Sequence, residues 1–186
     1  MTIRDGRRAD VPVLREIERR AAAAFAATAR ARLATPRESE LLPSATLAAA
    51  VATGDLLVVT VDGAAVGFAL LGRLGSDAQL RELDVLPEHG GRGLGGALLE
   101  AACARAAGRG CARIVLTTFR EVPFNGPFYA RHGFVELDPD GTDGRFTPEL
   151  GAILDAEAAA GLDRAARCAM ARDLAAEADG QREEGQ

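Results

Sequence analysis

Residues 82–102 read ELDVLPEHGGRGLGGALLEAA. Five glycines fall within seven residues, Gly90 to Gly96, between an apolar strand-like run and an alanine/leucine run. A glycine in a helix interior costs about 0.5–1 kcal/mol relative to alanine, so several of them where a helix should begin call for a compensating gain. A strand, a glycine loop and a helix in that order form an anion site: glycines let backbone N–H groups converge, and the helix N-terminus adds partial positive charge. A diphosphate approaching the backbone over Gly91, Arg92, Gly93, Leu94, Gly95 and Gly96 would offset the entropic cost, and Arg92 is placed to add a charge-assisted contact.

The pattern on either side sets the fold. Residues 2–4 read as a short strand. Val13, Leu14, Ile17, Ala21 and Phe25 follow helical spacing over about 11–27, with Asp10 as the N-cap and Pro12 in the first turn. Ser44 caps a helix that Gly54 stops. LLVVTV (56–61) and AAVGFALLGRL (64–74) flank Asp62-Gly63, a two-residue hairpin signal, and AQLRELDVL (78–86) is a third strand. After the glycine loop come a helix to about 109 and the strand 112–119, whose start lacks polar alternation and so suits a buried central strand. A short helix at 127–132, a strand at 134–137, a helix at 148–160 behind Thr147 and a strand at 167–174 complete the series. The order β-α-α-β-β-β-α-β-α-β-α-β predicts an α/β sandwich around one sheet, with helices on both faces. The reading is one domain over 1–175 and a polar tail over 176–186.

Composition excludes several functions. The chain has 186 residues, 48% of them apolar, which is enough for a real core. All 22 basic residues are Arg, yet the net charge is −5, so there is no basic footprint for nucleic acid. Three scattered cysteines, Cys103, Cys111 and Cys168, read as buried reduced thiols, and two distant histidines predict no metal site. No apolar run is long enough for a membrane span and no signal core opens the chain, so the expected location is cytoplasmic. An exposed sheet edge at 167–174 leaves a homodimer open.

GRGLGG superficially matches the dinucleotide fingerprint, but the loop follows a late strand and no acidic residue lies on 112–119. A Walker loop is excluded by the absence of Gly-Lys-Ser/Thr. The stretch 82–102 instead resembles the acetyl-CoA-binding motif of the GNAT superfamily of N-acetyltransferases, where Val-x-Pro precedes Arg/Gln-x-x-Gly-x-Gly/Ala and a helix. VPFNGPFYARHGF (122–134) resembles that superfamily's Asn…Tyr…Gly-Phe segment, and TIRDGRRADVPVLREIE (2–18) its first strand and helix. Two departures stand out: Gly90 replaces the loop's usual first Arg or Gln, and 139–163 is longer than the minimal pattern.

The resemblance implies a GNAT-like, mixed and mostly antiparallel central sheet. It also implies acetyl-CoA as co-substrate and an amine of a small molecule or peptide as acceptor. Backbone groups of Leu83, Asp84 and Val85 and of the loop would hold the cofactor, with Asn125 and Phe128 along its pantetheine arm and a backbone N–H near Val85 polarising the carbonyl. Tyr129, the chain's only tyrosine, is the general-acid candidate, four residues before Gly133. Glu82 is the base candidate; it shares a strand face with Asp84, and that face is either the cleft or its opposite. Glu121, His132 and His89 are weaker candidates for the site, and Phe25, Arg30, Arg32, Glu38 and Glu40 are candidates to line the acceptor. Two rivals stay open at this point: a non-catalytic acyl-CoA sensor on the same fold, and another α/β nucleotide binder.

Overall fold

The computed structural model describes residues 1–28, 41–142 and 144–174. Its elements are β1 (Thr2–Asp5), α1 (Val11–Thr28), α2 (Ser44–Thr53), β2 (Leu56–Val61), β3 (Ala64–Leu74), β4 (Asp77–Val85), α3 (Leu94–Gly108), β5 (Arg113–Phe119), α4 (Gly126–Arg131), β6 (Val135–Glu136), α5 (Pro148–Ala159) and β7 (Arg167–Asp173). The strands form one sheet in the order β1-β2-β3-β4-β5-β7-β6. Every neighbouring pair is antiparallel except β4 and β5, which run parallel.

Alternation along the strands divides the core in two. Leu57, Val59, Ala69, Leu71, Leu80, Ile114 and Leu116 pack under α3, against Leu98, Leu99 and Ala102. The intervening Leu56, Val58, Phe68 and Leu70 pack under α1 and α2, against Leu14, Ile17 and Leu47. On that second face, Val115 and Ala169 continue the layer under Leu150 and Leu154 of α5. Each such fully buried aliphatic side chain contributes about 1.5–3 kcal/mol relative to exposure. The hairpin between β2 and β3 turns on Asp62 (φ 51°) and Gly63 (φ 82°), the left-handed pair that a twisted two-residue connection requires.

Four local expectations change. Pro43, not Ser44, occupies the N-cap of α2, and no side chain caps that helix. Val13 is exposed, and the buried stripe of α1 is Val11, Leu14, Ile17 and Glu18. Asp10 belongs to a short 3-10 turn before α1; its carboxylate takes both guanidinium nitrogens of Arg4, at 2.7 and 2.8 Å, and the Arg7 N–H. The strand at the end is not a sheet edge: β7 lies between β5 and the two-residue β6. The edge that left a homodimer open is therefore partly covered by β6, and the other edge belongs to β1. The tail 176–186 and the acceptor candidates Arg30, Arg32, Glu38 and Glu40 lie outside the described residues, as does the Phe25 side chain. No described helix is long and apolar enough to cross a membrane.

Gly67 sets how closely β3 and β4 meet. A Cβ there would lie 2.6 Å from the Asp84 carbonyl oxygen and 3.1 Å from a Val59 methyl. Gly67→Ala is expected to lower stability by about 1–3 kcal/mol, read as a lower urea midpoint with an unchanged denaturant slope.

Candidate active site

The parallel pair at the centre of the sheet barely exists. β4 pairs with β5 only at Ala78↔Ile114 and Gln79↔Val115. Arg113 clamps that end, its Nε donating to Asp77 Oδ2 at 3.0 Å. Beyond it the strands part, and the C-terminal half of β4 has no strand partner on that side.

A bulge then re-aims the side chains of β4. Leu71 pairs with Leu80 and Leu70 with Glu82, so Arg81 is an extra residue. Leu80 packs under α3, and residues two apart on a regular strand share a face. Without the extra residue, Glu82 would follow Leu80 into that core. With it, Glu82 and Asp84 lie opposite Leu70 and Phe68 on the α1 side, while Leu83 and Val85 pack toward α3.

The backbone is directed as well. The Leu86 N–H donates to the Val66 carbonyl at 2.8 Å. Because such groups alternate along an antiparallel strand, the N–H groups of Val85 and Leu83 point away from β3, toward the gap that β5 has left.

The chain next makes a 3-10 turn at Pro87–His89 and enters α3 through Gly93. Gly91 (φ 70°) and Gly93 (φ 79°) take left-handed conformations, and a Cβ on either would meet nothing within 4 Å. Their glycine requirement is conformational, and the space beside them is open. No side chain caps α3, so its first N–H groups face that space. Arg92 is exposed, with Nη1 3.2 Å from His89 Nδ1. Gly96 has a steric reason to be glycine: a Cβ there would lie 2.9 Å from the His132 ring, whereas one on Gly95 would make ordinary contact with Phe128 at 3.7 Å.

That contact docks α4 onto the start of α3. Gly126 opens α4, where a Cβ would come 2.3 Å from the Arg120 carbonyl oxygen. Asn125 occupies the N-cap position, but its side chain makes no capping bond; its backbone carbonyl accepts the Tyr129 N–H at 2.9 Å. Phe128 packs against His132 (4.7 Å between centroids) and edge-on to Tyr129 (5.1 Å), whose ring in turn meets Phe134 at 5.6 Å. His132 Nδ1 lies 3.4 Å from Glu100 of α3, which also receives Arg172 Nη1 at 2.7 Å. Two of the weaker candidates thus separate: His132 is a packing residue between helices, and Glu121 is exposed in the loop before α4.

Electrostatics single out the carboxylates. Burial, and next the neighbouring Glu18, push the Glu82 carboxyl up to about 7. Asp84 is raised well above the usual carboxylate range by burial and by Glu82 and Glu18, and its Oδ2 is buried with no hydrogen-bond partner among the described residues. The Tyr129 phenol is raised above its ordinary value, chiefly by burial and then by Glu82 and Asp84. Arg167 opposes both shifts. It is itself buried, held by Glu157 (Nε–Oε2 2.9 Å, Nη2–Oε1 2.6 Å) and laid over the Phe119 ring at 4.6 Å. Glu18 and Arg167 escaped the sequence reading. The signal for Glu18 was its place in the stripe Val11, Leu14, Glu18, at helical spacing; Arg167, at the start of a strand, carried none.

Residues 52–136 match the family model of the acetyltransferase (GNAT) domain. Several solved structures share the fold. PaiA N-acetyltransferase from Thermoplasma acidophilum, in complex with coenzyme A, is 19% identical, with a TM-score of 0.68 over 92% of this chain and 98% of that one. Ribosomal-protein-alanine N-acetyltransferase from Brucella melitensis is 19% identical, with a TM-score of 0.64 over 94% of this chain and 100% of that one. N-acetylglutamate synthase from Neisseria gonorrhoeae, complexed with coenzyme A and N-acetyl-glutamate, is 19% identical, with a TM-score of 0.64 over 94% of this chain and 35% of that one. At these identities the likeness establishes the fold: an open, mostly antiparallel seven-stranded sheet with helices on both faces.

Glu82 binds its proton more tightly in the folded than in the unfolded chain. Its contribution to stability is therefore present below about pH 4.5, the ordinary value, and is lost as pH rises through about 7. Glu82→Gln removes that dependence. Relative to wild type the variant is expected to gain about 1–3 kcal/mol at pH 8 and nothing at pH 4, measured by denaturant unfolding at the two pH values.

Proposed function

We propose that this chain, whose residues 52–136 match the acetyltransferase (GNAT) domain model, is an acetyl-CoA-dependent N-acetyltransferase acting directly on an amine of a small molecule or peptide. The observation that carries the reading is a set of backbone donors that border one open space. It begins with the Val85 N–H facing the gap between β4 and β5, next to the Leu83 N–H, which the Glu82 carboxyl accepts. It continues through the open left-handed turns of Gly91 and Gly93 and ends at the uncapped N-terminus of α3. Such a run suits an amide-bearing arm that ends in a diphosphate, and the coenzyme A held by two of the structural neighbours has that chemistry.

Acetyl-CoA, when bound, supplies an activated acetyl group as a thioester. The chain's residues do the rest. N–H groups of Gly91–Gly96 receive the diphosphate, aided by Arg92, and the uncapped helix end adds its partial charge. Leu83 and Val85 pair with the pantetheine amides as a neighbouring strand would, with Asp84 holding the strand between them. The Val85 N–H polarises the thioester carbonyl as charge develops on its oxygen. Asn125 offers its uncommitted carboxamide, and Phe128 its ring face, to the same arm.

Taking the acceptor's proton falls to the α1 side, whereas Tyr129 packs on the α3-side core. An ordinary carboxylate is a poor base for an ammonium group near pH 10, whereas Glu82 at about 7 is poised much closer to the task. Tyr129 keeps its proton throughout the neutral range and donates it to the departing sulfur.

The test is thiol release from acetyl-CoA across a panel of amines, alongside calorimetric binding of coenzyme A, ATP and NAD. Binding of coenzyme A alone is expected, with at least one amine giving turnover. Tyr129→Phe is expected to lower kcat by about 10²-fold without changing the affinity for acetyl-CoA. Glu82→Gln should remove the rising limb of kcat/KM near pH 7. If acetyl-CoA does not bind, the reading is wrong.

A further inference from the structure

One buried carboxyl on the α1 face is not used by the proposed chemistry. Glu18 is only 7% exposed, on the stripe of α1 that packs against the sheet. Its Oε1 accepts the Leu42 backbone N–H at 2.8 Å, tying α1 to the chain just before α2. A backbone N–H donated to a carboxylate favours its ionised form. The β4 bulge turns Glu82 and Asp84 to this same face, so three carboxylates from two elements share one poorly solvated region.

We propose that Glu18 is a positioning residue for the acetyl transfer. It is a buried anion fixed by the Leu42 backbone, and it sets the charge state of Glu82 and so the pH range over which the site can take a proton from the acceptor. The inference rests on the acetyltransferase reading. Among the described residues, the charged and titratable groups facing Glu82 are Glu18 from α1, Arg81 and Asp84 from β4, Tyr129 from α4 and Arg167 from β7. Arg81 and Arg167 draw its proton off. Asp84 is itself raised well above the usual carboxylate range by burial and by both glutamates. Tyr129 holds its own proton. That leaves Glu18 as the neighbouring anion that raises the proton affinity of Glu82, and burial supplies the remainder.

Glu18→Gln removes the charge and keeps a carbonyl oxygen for the Leu42 N–H. If that variant fails to fold, Glu18→Leu removes the same charge while extending the apolar stripe of Val11 and Leu14. Two readouts are taken on the full chain. The first is the side-chain carboxyl carbon resonance of Glu82, assigned by its loss in Glu82→Gln and titrated from pH 4 to 9. The second is the pH profile of kcat/KM with the best amine. In the Glu18 variant both midpoints are expected to fall by about one pH unit, with the KM for acetyl-CoA unchanged. Midpoints that stay at their wild-type values overturn the inference, even if the enzyme is active and Glu82-dependent. A resonance that moves while no amine is acetylated leaves the coupling of Glu18 to Glu82 standing, but overturns its assignment to acetyl transfer together with the proposed function.

Discussion

The site depends on β4 and β5 ceasing to pair after two residues. Parallel neighbours normally satisfy each other's backbone along their length. Here the pairing stops at Gln79 and Val115, just past the Arg113–Asp77 clamp. The clamp holds the sheet together at one end, so that a gap opens at the other with the fold intact. The residues given roles in the proposed transfer come from the elements beside that gap: the backbone of Leu83 and Val85, the carboxyls of Glu82 and Asp84, and Tyr129 from α4. A buried N–H without a partner costs as much as a lost hydrogen bond. The Val85 N–H on the open edge of β4 is therefore suited to a ligand that can pair with a strand.

The surroundings are built to hold the gap's walls still. On one wall, α3 and α4 are locked by His132 lying over Gly96 and by the chain His132–Glu100–Arg172. On the other, Arg167 is chelated by Glu157, which also accepts the Thr117 hydroxyl at 2.6 Å, so β5, β7 and α5 meet in one network. The ion pairs on the outer rim, such as Arg20–Glu88 and Arg120–Glu136, are solvated and contribute little each. The buried network matters more, because removing either partner would strand a charge.

Local pattern made the elements legible. Period-two runs, the Asp62-Gly63 turn and the glycines after α2 and α3 are decisions taken within a few residues. What could not be read was non-local. The place of β7 inside the sheet follows from which strand pairs with which, and nothing in RCAMARD reports that. The Arg81 bulge exists only in the register between two strands, so the face taken by Glu82 stayed undecided. Glu18 sits in a run of charged residues, LREIERR, where a buried carboxylate looks like its solvated neighbours. The glycine loop was half legible: the turns at Gly91 and Gly93 follow from backbone freedom, whereas the reason for Gly96 lies on a helix more than thirty residues later.

The bulge also explains how one strand can serve two purposes that normally conflict. Holding a pantetheine arm needs backbone groups at the strand's open edge, whereas taking a proton needs carboxylates on one of its faces. Along β4 the face toward α3 is a continuous apolar core, and a carboxylate there would face Leu98 and Leu99 with no compensating group. A regular strand continuing from Leu80 would put both Glu82 and Asp84 into that core and turn Leu83 and Val85 out of it. The single extra residue at Arg81 reverses both assignments at once. It places both acids beside Glu18, and Glu82 also within reach of Arg167. In the proposed reaction, the irregularity in the sheet is the element that would join acyl-donor binding to proton removal.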